Sequence, residues 1–421
     1  MSNFCIVILA AGEGKRMKTS LPKVLHELCG KPMVAHVVEA AKKVSAKKLV
    51  VVVGRRWPQV KDVLGKGVLV AVQREPRGTA DAIKAAKDKI PSSAKDVIVL
   101  YGDTPLITEA TIRALYQSHI EKNASCTVLT TFLENPKGYG RILRNESGKL
   151  IGIIEDKDAT THQKAIKEIN TGMYCFRRLG LAEALEHVRP LNQSNEFYLT
   201  DVFAWMSQRG KKIDACVADD SREVLGVNSQ MQLHEAQEIL RQRQLESRIE
   251  NGVQIEDMRS TFIDQTATID AGTQILPFSY IEKNVVIGRN CSVGPFCHLR
   301  EGTVLKDGVS VGNFAEVKNS VLGQGSVMHH LGYVGDAVVG KNVNIGAGTV
   351  VANYDGKKKN KTVIKDRAFI GSDAVLIAPV VIGKGAVVGA GSVVTKNHHV
   401  PDRGIVVGVP ARELKPSKKR G

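Results

Sequence analysis

From Ile263 onward an aliphatic residue recurs at every sixth position, and that spacing limits the fold of the second half of this chain more than any other feature. Ile263, Ile269, Ile275, Ile281, Ile287, Val293, Leu299, Leu305, Val311 and Val317 keep one register. The series resumes one residue short at Leu322, Met328 and Val334, and again at Val339, Ile345 and Val351. After an insertion it returns at Ile364, Ile370, Leu376, Ile382, Val388 and Val394. A period of six fits neither a helix nor an alternating strand, and a fixed internal period marks a solenoid. Hexads that each form one short strand and turn a corner build a triangular parallel β-helix, three hexads to a coil. By this count the stack holds roughly seven coils.

At 421 residues the chain needs more than one core. A hydrophobic content of 43 % suits a soluble protein, and no apolar run is long enough to span a bilayer. The start lacks a basic segment and cleavage site, so no membrane insertion and a cytoplasmic location are expected. Seven cysteines show no metal-ligand spacing and are expected to be reduced and buried. The net charge of +16 raises the question of nucleic acid. The basic residues are spread out, however, with short clusters only at 357–361 and in the tail (Lys415, Lys418, Lys419, Arg420), and no nucleic-acid motif is present. Small polyanionic substrates are the better expectation, and nucleic acid is not.

The first half alternates buried strands (4–10, 49–53, 97–101) with helical stretches such as 34–44 and 80–89, the βαβ pattern of a doubly wound sheet. Ligands in such sheets sit at the carboxyl ends of the strands. The first strand runs into Ala10-Ala11-Gly12-Glu13-Gly14-Lys15-Arg16-Met17, followed by Leu21-Pro22-Lys23. Glycines there let the backbone approach a phosphate, and Arg16 and Lys23 add cationic donors. The loop is neither a Walker A sequence nor a dinucleotide fingerprint, and a tight strand-to-helix turn would also account for it.

The wider string resembles the signature of sugar-1-phosphate nucleotidylyltransferases. Gln73 with Gly78-Thr79, Tyr101-Gly102-Asp103, Gly138-Tyr139-Gly140-Arg141, Glu155, Asn170-Thr171-Gly172 and Gly226-Val227-Asn228 follow in that family's order. Joined to a hexapeptide helix, they resemble the bifunctional bacterial enzymes that make UDP-N-acetylglucosamine. The resemblance implies an N-terminal Rossmann-like uridylyltransferase domain (1–228), a helical linker (229–250) and a left-handed parallel β-helix acetyltransferase domain with a basic tail (251–421). It implies that Leu9, Ala10, Gly12, Lys23, Gln73, Gly78, Thr79, Tyr101, Gly102, Asp103, Gly140, Glu155, Asn170 and Asn228 hold UTP and the sugar product. Asp103 and Asn228 would bind Mg²⁺, which accepts one or two protein oxygens beside phosphates and water. For Asp103 the alternative is a cap on a helix starting near Thr108. A sugar phosphate with a second pKa near ~6 is already mostly dianionic, so the transfer needs positioning by Arg16 and Lys23 rather than a protein base.

In the repeat the residue after the aliphatic position is often Gly, but at two places it is Arg300 and Lys318, one coil of eighteen residues apart. Like charges stacked on strands about 4.8 Å apart repel, so an anion is expected beside them. Glu301 and Glu316 are the internal choice and a bound phosphate the external one. Acetylating an amino sugar needs a base titrating near neutrality, and 328–333 offers His329 and His330. The resemblance selects His330, gives glucosamine-1-phosphate to Arg300, Lys318, Tyr333, Asn344 and Lys359, and gives acetyl-CoA to Ala347, Asn353, Tyr354, Ser372 and Ala390. Arg412 is the candidate for a further contact to coenzyme A. Between Val351 and Ile364 the excess residues form a lysine-rich loop on what is expected to be the binding face. The resemblance also implies a homotrimer and a β-helix about two coils shorter than usual. Two alternatives stand beside this reading: a single-activity nucleotidylyltransferase with a structural β-helix, and the same reactions with another nucleotide such as dTTP.

Overall fold

A computed structural model describes residues 3–12, 14–44, 49–55, 57–190, 192 and 194–414. Glu13, the Lys15 side chain and the basic tail from Lys415 lie outside the described residues. The chain divides into two compact units, Met1–Leu240 and Arg241–Gly421. The division falls within the continuous helix Gln230–Glu250, which gives residues to both units.

The first unit is built on a nine-stranded sheet. Its main path runs Ile213–Val217, Cys126–Phe132, Glu168–Arg177, Asp96–Tyr101, Phe4–Ala10, Leu49–Val53, Leu69–Val72. Every neighbour pair is parallel except those made by Glu168–Arg177, which runs against both its neighbours. The strand Phe4–Ala10 is buried throughout, because its side chains alternate between two cores. Cys5, Val7 and Leu9 face the layer of Thr79–Ala86 and Leu199–Gln208, while Phe4, Ile6, Ile8 and Ala10 face the layer of Met33–Val44 and Glu109–Glu121. Burial on both faces explains why this strand reads as an unbroken apolar run. The helix after Asp103 is capped by Thr108, whose side chain accepts from Thr111 N at 3.3 Å. That leaves the Asp103 carboxylate out of capping.

The second unit is a three-sided parallel β-helix of ten-, eight- and eight-stranded sheets. One coil shows the pattern: Val327–Met328 in the first sheet, Gly332–Gly335 in the second and Ala337–Val339 in the third. Of the aliphatic series only Ile269 is less than fully buried, and these side chains form one continuous core. Each such burial contributes roughly 1.5–3 kcal/mol. The repeat is longer than the count of about seven coils allowed. Strands begin at Gln254–Ile255 and continue through His399–Val400 and Ile405–Val407. Val400 and Val406 simply keep the period, whereas Ile255 is offset by a turn at 256–261 that breaks it. None of the seven cysteines is in a disulfide, and Cys29 and Cys216 are half-buried rather than buried. Among the described residues no helix is long and apolar enough to cross a membrane.

Candidate active sites

At the carboxyl ends of Phe4–Ala10 and Asp96–Tyr101 a cavity of about 350 Å³ opens. Leu9, Ala10, Gly12, Arg16, Lys23, Gln73, Gly78, Thr79, Tyr101, Asp103 and Asn228 all line it. A larger surface cleft of about 560 Å³, lined by Arg144, Lys149, Lys211 and Asp214 among others, gathers none of them. Lys23, which is buried, pairs with Asp103 and donates to Asn228 Oδ1 at 2.6 Å. Arg16 Nη2 donates to the same oxygen at 2.7 Å. Residues more than two hundred positions apart thus share one point because the loop Gly226–Asn228 returns to the strand end, with Val227 N donating to Asp103 O at 2.8 Å.

The two glycines of the loop do different work. Gly12 faces open space, whereas Gly14 has φ +69° and a Cβ there would sit 2.5 Å from Lys23 Cβ. Gly14→Ala combines that clash with a left-handed conformation costing about 1–2 kcal/mol. Nucleotidyl transfer by this variant is expected to fall roughly 10-fold while acyl transfer is unchanged, as read by pyrophosphate release and thiol release. Gly78 has φ +119° and leaves no room for a Cβ beside the backbone of Phe197. Gln73 donates through Nε2 to Gly78 O at 3.1 Å and Asp81 Oδ2 at 2.9 Å, so its carbonyl oxygen is the end left for a ligand.

Gly140, Glu155 and Asn170 do not line that cavity but meet one another beside it. Asn170 pairs with Gly140 in the sheet, and a Cβ on Gly140 would lie 3.4 Å from both Asn170 Cβ and Glu155 Oε2. An irregularity between Asn170 and Tyr174 lets Gly172, at φ +82°, pack against the Tyr101 ring. Gly102 is tied to the first strand by its N–H to Leu9 O at 2.8 Å. Burial pushes the Glu155 carboxyl up, against a hydrogen bond from Thr200 at 3.3 Å. Burial, with Glu155 and Asp103 adding, pushes the Tyr101 phenol up as well. Two acidic residues carry no mark in the sequence: Glu196, which lines the cavity, and Asp201, whose carboxyl burial and Asp158 push up to about 6. Both lie on the segment 196–201, which carries no glycine or phosphate-loop signal.

In the second unit the expected residues fall on two edges. On the edge between the second and third sheets stand Arg300, Lys318, Asn353, Tyr354 and Lys359. Arg300 N donates to Val317 O at 2.8 Å, and Lys318 pairs in register with Gly335. Glu316 accepts from Arg300 Nη1 at 2.8 Å and Glu282 lies 3.7 Å away, so the internal anion is realised for that cation. Glu301 instead faces Lys283 at 3.6 Å. Lys359 and Arg300 crowd Lys318 and push its ammonium below the usual lysine value. Tyr333 OH reaches the same edge, 3.5 Å from Asn353 Nδ2.

The edge between the first and second sheets carries His330, Ala347, Ser372 and Ala390 on successive coils. Its rungs are joined by Gly348 N to Leu331 O at 2.7 Å, Asp373 N to Ala347 O at 2.7 Å and Gly391 N to Ser372 O at 2.8 Å. Asn344 sits on the first sheet beside this edge, and Arg412 pairs there with Val407. His330 is exposed, and its ring lies 6.4 Å from that of His329. Tyr333 and Asn344, both assigned to the sugar phosphate by the resemblance, stand on different sheets, Tyr333 turned to the other edge. A hexad repeat puts every sixth residue on a new face, so neighbours in sequence separate.

Residues 6–165 match the family described as the MobA-like NTP transferase domain, 259–355 the GMPPB C-terminal domain, and 361–396 the bacterial transferase hexapeptide (six repeats). The Bifunctional protein GlmU of Clostridioides difficile is 41 % identical over 438 residues, covering 96 % of this chain and 95 % of the relative. That of Heliobacterium modesticaldum is 44 % identical, covering 93 % of each. The chain belongs to the GlmU family. The Bifunctional protein GlmU of Brevibacillus brevis, 40 % identical, covers 99 % of this chain and 97 % of the relative. Similarity over nearly the full length of such relatives accounts for both halves at once, the nucleotide-binding α/β unit and the hexapeptide helix. A nucleotide and acetyl-CoA are the small-molecule substrates such a pair of domains requires.

Proposed function

We propose that this GlmU-family chain acetylates glucosamine-1-phosphate from acetyl-CoA and then transfers uridylyl from UTP to the N-acetylated sugar phosphate. The observation that carries the reading is the convergence of Arg16, Lys23, Asp103 and Asn228 at one point of the nucleotide cavity. In the uridylyl step a sugar-phosphate oxygen attacks the α-phosphorus of UTP, a P–O bond forms, and the bond to pyrophosphate breaks. Arg16 and Lys23 bind and orient the phosphates. The oxygens of Asp103 and Asn228 already face one shared cation, the Lys23 ammonium, so this donor pair suits Mg²⁺. When bound, the ion would neutralise phosphate charge. Gln73, Gly78 and Thr79 take the base, and Tyr101, Gly140, Glu155 and Asn170 the sugar.

In the acetyl step the amine attacks the thioester carbon, a C–N bond forms and the C–S bond breaks. The amine's proton passes to His330 and on to the departing sulfur. Arg300, Lys318 and Lys359 bind the sugar phosphate. Because His330 and these cations occupy different edges of one chain, a site using both is completed by a second copy, which supports a closed homotrimer. An exposed stack of Phe278, Phe296 and Phe314 on the His330 edge, with ring centroids 4.7 and 5.0 Å apart, offers apolar surface for that packing. A mass measurement in solution tests the assembly.

The reading is tested by following pyrophosphate release with UTP against dTTP, and thiol release with glucosamine-1-phosphate. Preference for UTP with both products formed is expected. Equal use of dTTP would overturn the nucleotide assignment, and no thiol release would leave the β-helix a structural module.

A further inference from the structure

Three polar side chains stand one above another on the edge between the second and third sheets, one from each of three successive coils. Asn319, Asp336 and Asn353 are seventeen residues apart. Asn319 Nδ2 donates to Asp336 Oδ1 at 2.6 Å, and Asn353 Nδ2 donates to Asp336 Oδ2 at 2.5 Å. Backbone bonds hold the middle member: Asp336 N donates to Lys318 O at 3.1 Å, and Thr362 N to Asp336 O at 3.2 Å. Its φ of +50° is a left-handed conformation that Asp tolerates better than most residues.

An ionised carboxylate only accepts. A carboxamide within hydrogen-bonding distance of it must therefore present its NH₂, because its carbonyl oxygen would be repelled. Asp336 thus dictates which way round the Asn353 amide sits, and the same nitrogen also donates to Tyr333 OH at 3.5 Å. Asn353 is itself buried. With its nitrogen turned inward, the group it has left for a ligand is the carbonyl oxygen, an acceptor. Gly335 is required alongside, since a Cβ there would meet Tyr333 OH and, at 2.8 Å, Asn353 Nδ2.

We propose that Asp336 is a positioning residue of the acyl-transfer site, locking the Asn353 carbonyl toward a donor N–H or O–H of the ligand without touching the ligand itself. The proposal rests on the reading that Asn353 belongs to the acetyl-CoA site. A carboxamide in place of Asp336 has one accepting and one donating end, so it cannot receive the NH₂ groups of Asn319 and Asn353 together.

The test measures acetyl-transfer kinetics for Asp336→Asn, Asn353→Ala and the double variant in the full chain, with uridylyl transfer as the control for folding. Each single variant is expected to raise the KM for acetyl-CoA about 10-fold, the worth of one hydrogen bond. The double variant is expected to be no worse than Asn353→Ala, since the two side chains act through one contact. Additive losses, or an unchanged KM in Asp336→Asn with Asn353→Ala impaired, overturn the positioning role alone. An unchanged KM in Asn353→Ala overturns the assignment of Asn353 and the positioning role with it. Asn353→Asp leaves Asp336 in place but sets two carboxylates against each other. It is expected to match Asn353→Ala, and a parental KM in that variant would overturn the proposal even if Asp336→Asn failed to fold.

Discussion

Replacing His330 with alanine is expected to lower acetyl transfer by about 10²–10⁴-fold and to leave uridylyl transfer intact. The amine of the sugar substrate is largely protonated near neutrality, and an ammonium has no lone pair for the thioester carbon. Removing the only base assigned to the site removes the path by which that proton leaves. His330 is exposed at a corner of the β-helix, so the substitution opens no cavity and stability is expected to shift by less than ~0.5 kcal/mol. Loss in kcat with little change in KM for either substrate is the expected split. Thiol release at the parental rate would show that the base is some other group. His329→Ala serves as the contrast and is expected to retain activity, because the resemblance assigns His329 no role.

The reciprocal loss is expected from Asp103→Ala, with uridylyl transfer reduced about 10²–10³-fold and acetyl transfer unaffected. The carboxylate holds the buried Lys23 ammonium and, on the proposed reading, would supply one of the two protein oxygens to Mg²⁺, and alanine can do neither. Lys23 would then keep Asn228 as its remaining described partner, leaving a buried cation with less compensation. Steeper dependence on Mg²⁺ concentration, read by pyrophosphate release, should accompany the lower rate. An unaltered Mg²⁺ dependence would detach Asp103 from the metal and leave it the lysine's anchor only. Since each substitution silences one reaction, mixing the two variants is expected to restore the full sequence from glucosamine-1-phosphate to the nucleotide sugar.

Much of the first site was readable because its residues are tied to backbone demands. Gly14 and Gly78 occupy conformations that other residues resist, and Asp103 lies two residues past the end of a buried strand, Asp96–Tyr101. Such positions leave local marks in the chain. Glu196 and Asp201 left none, since nothing in their own segment shows what the sheet brings against it. In the second unit the repeat made Arg300 and Lys318 visible as exceptions, and their stacking followed from arithmetic. Glu282 as a second acid near Arg300, and Asp336 as the hub of three coils, depended on side-chain directions that spacing leaves open.

By itself the sequence determined that half of this chain is a stack of short parallel strands and the other half a nucleotide-binding sheet. Periodicity and unbroken apolar runs are consequences of which faces are buried, and burial acts residue by residue. Only the tertiary structure decided that Glu316 and Glu282 close on Arg300 and that Asp336 ties Asn319 to Asn353. It also decided that Lys23 and Arg16 converge on an asparagine two hundred residues away. Those relations depend on side-chain directions and on how loops close in space, and a hexad count assigns a residue to a corner without saying what its side chain meets there.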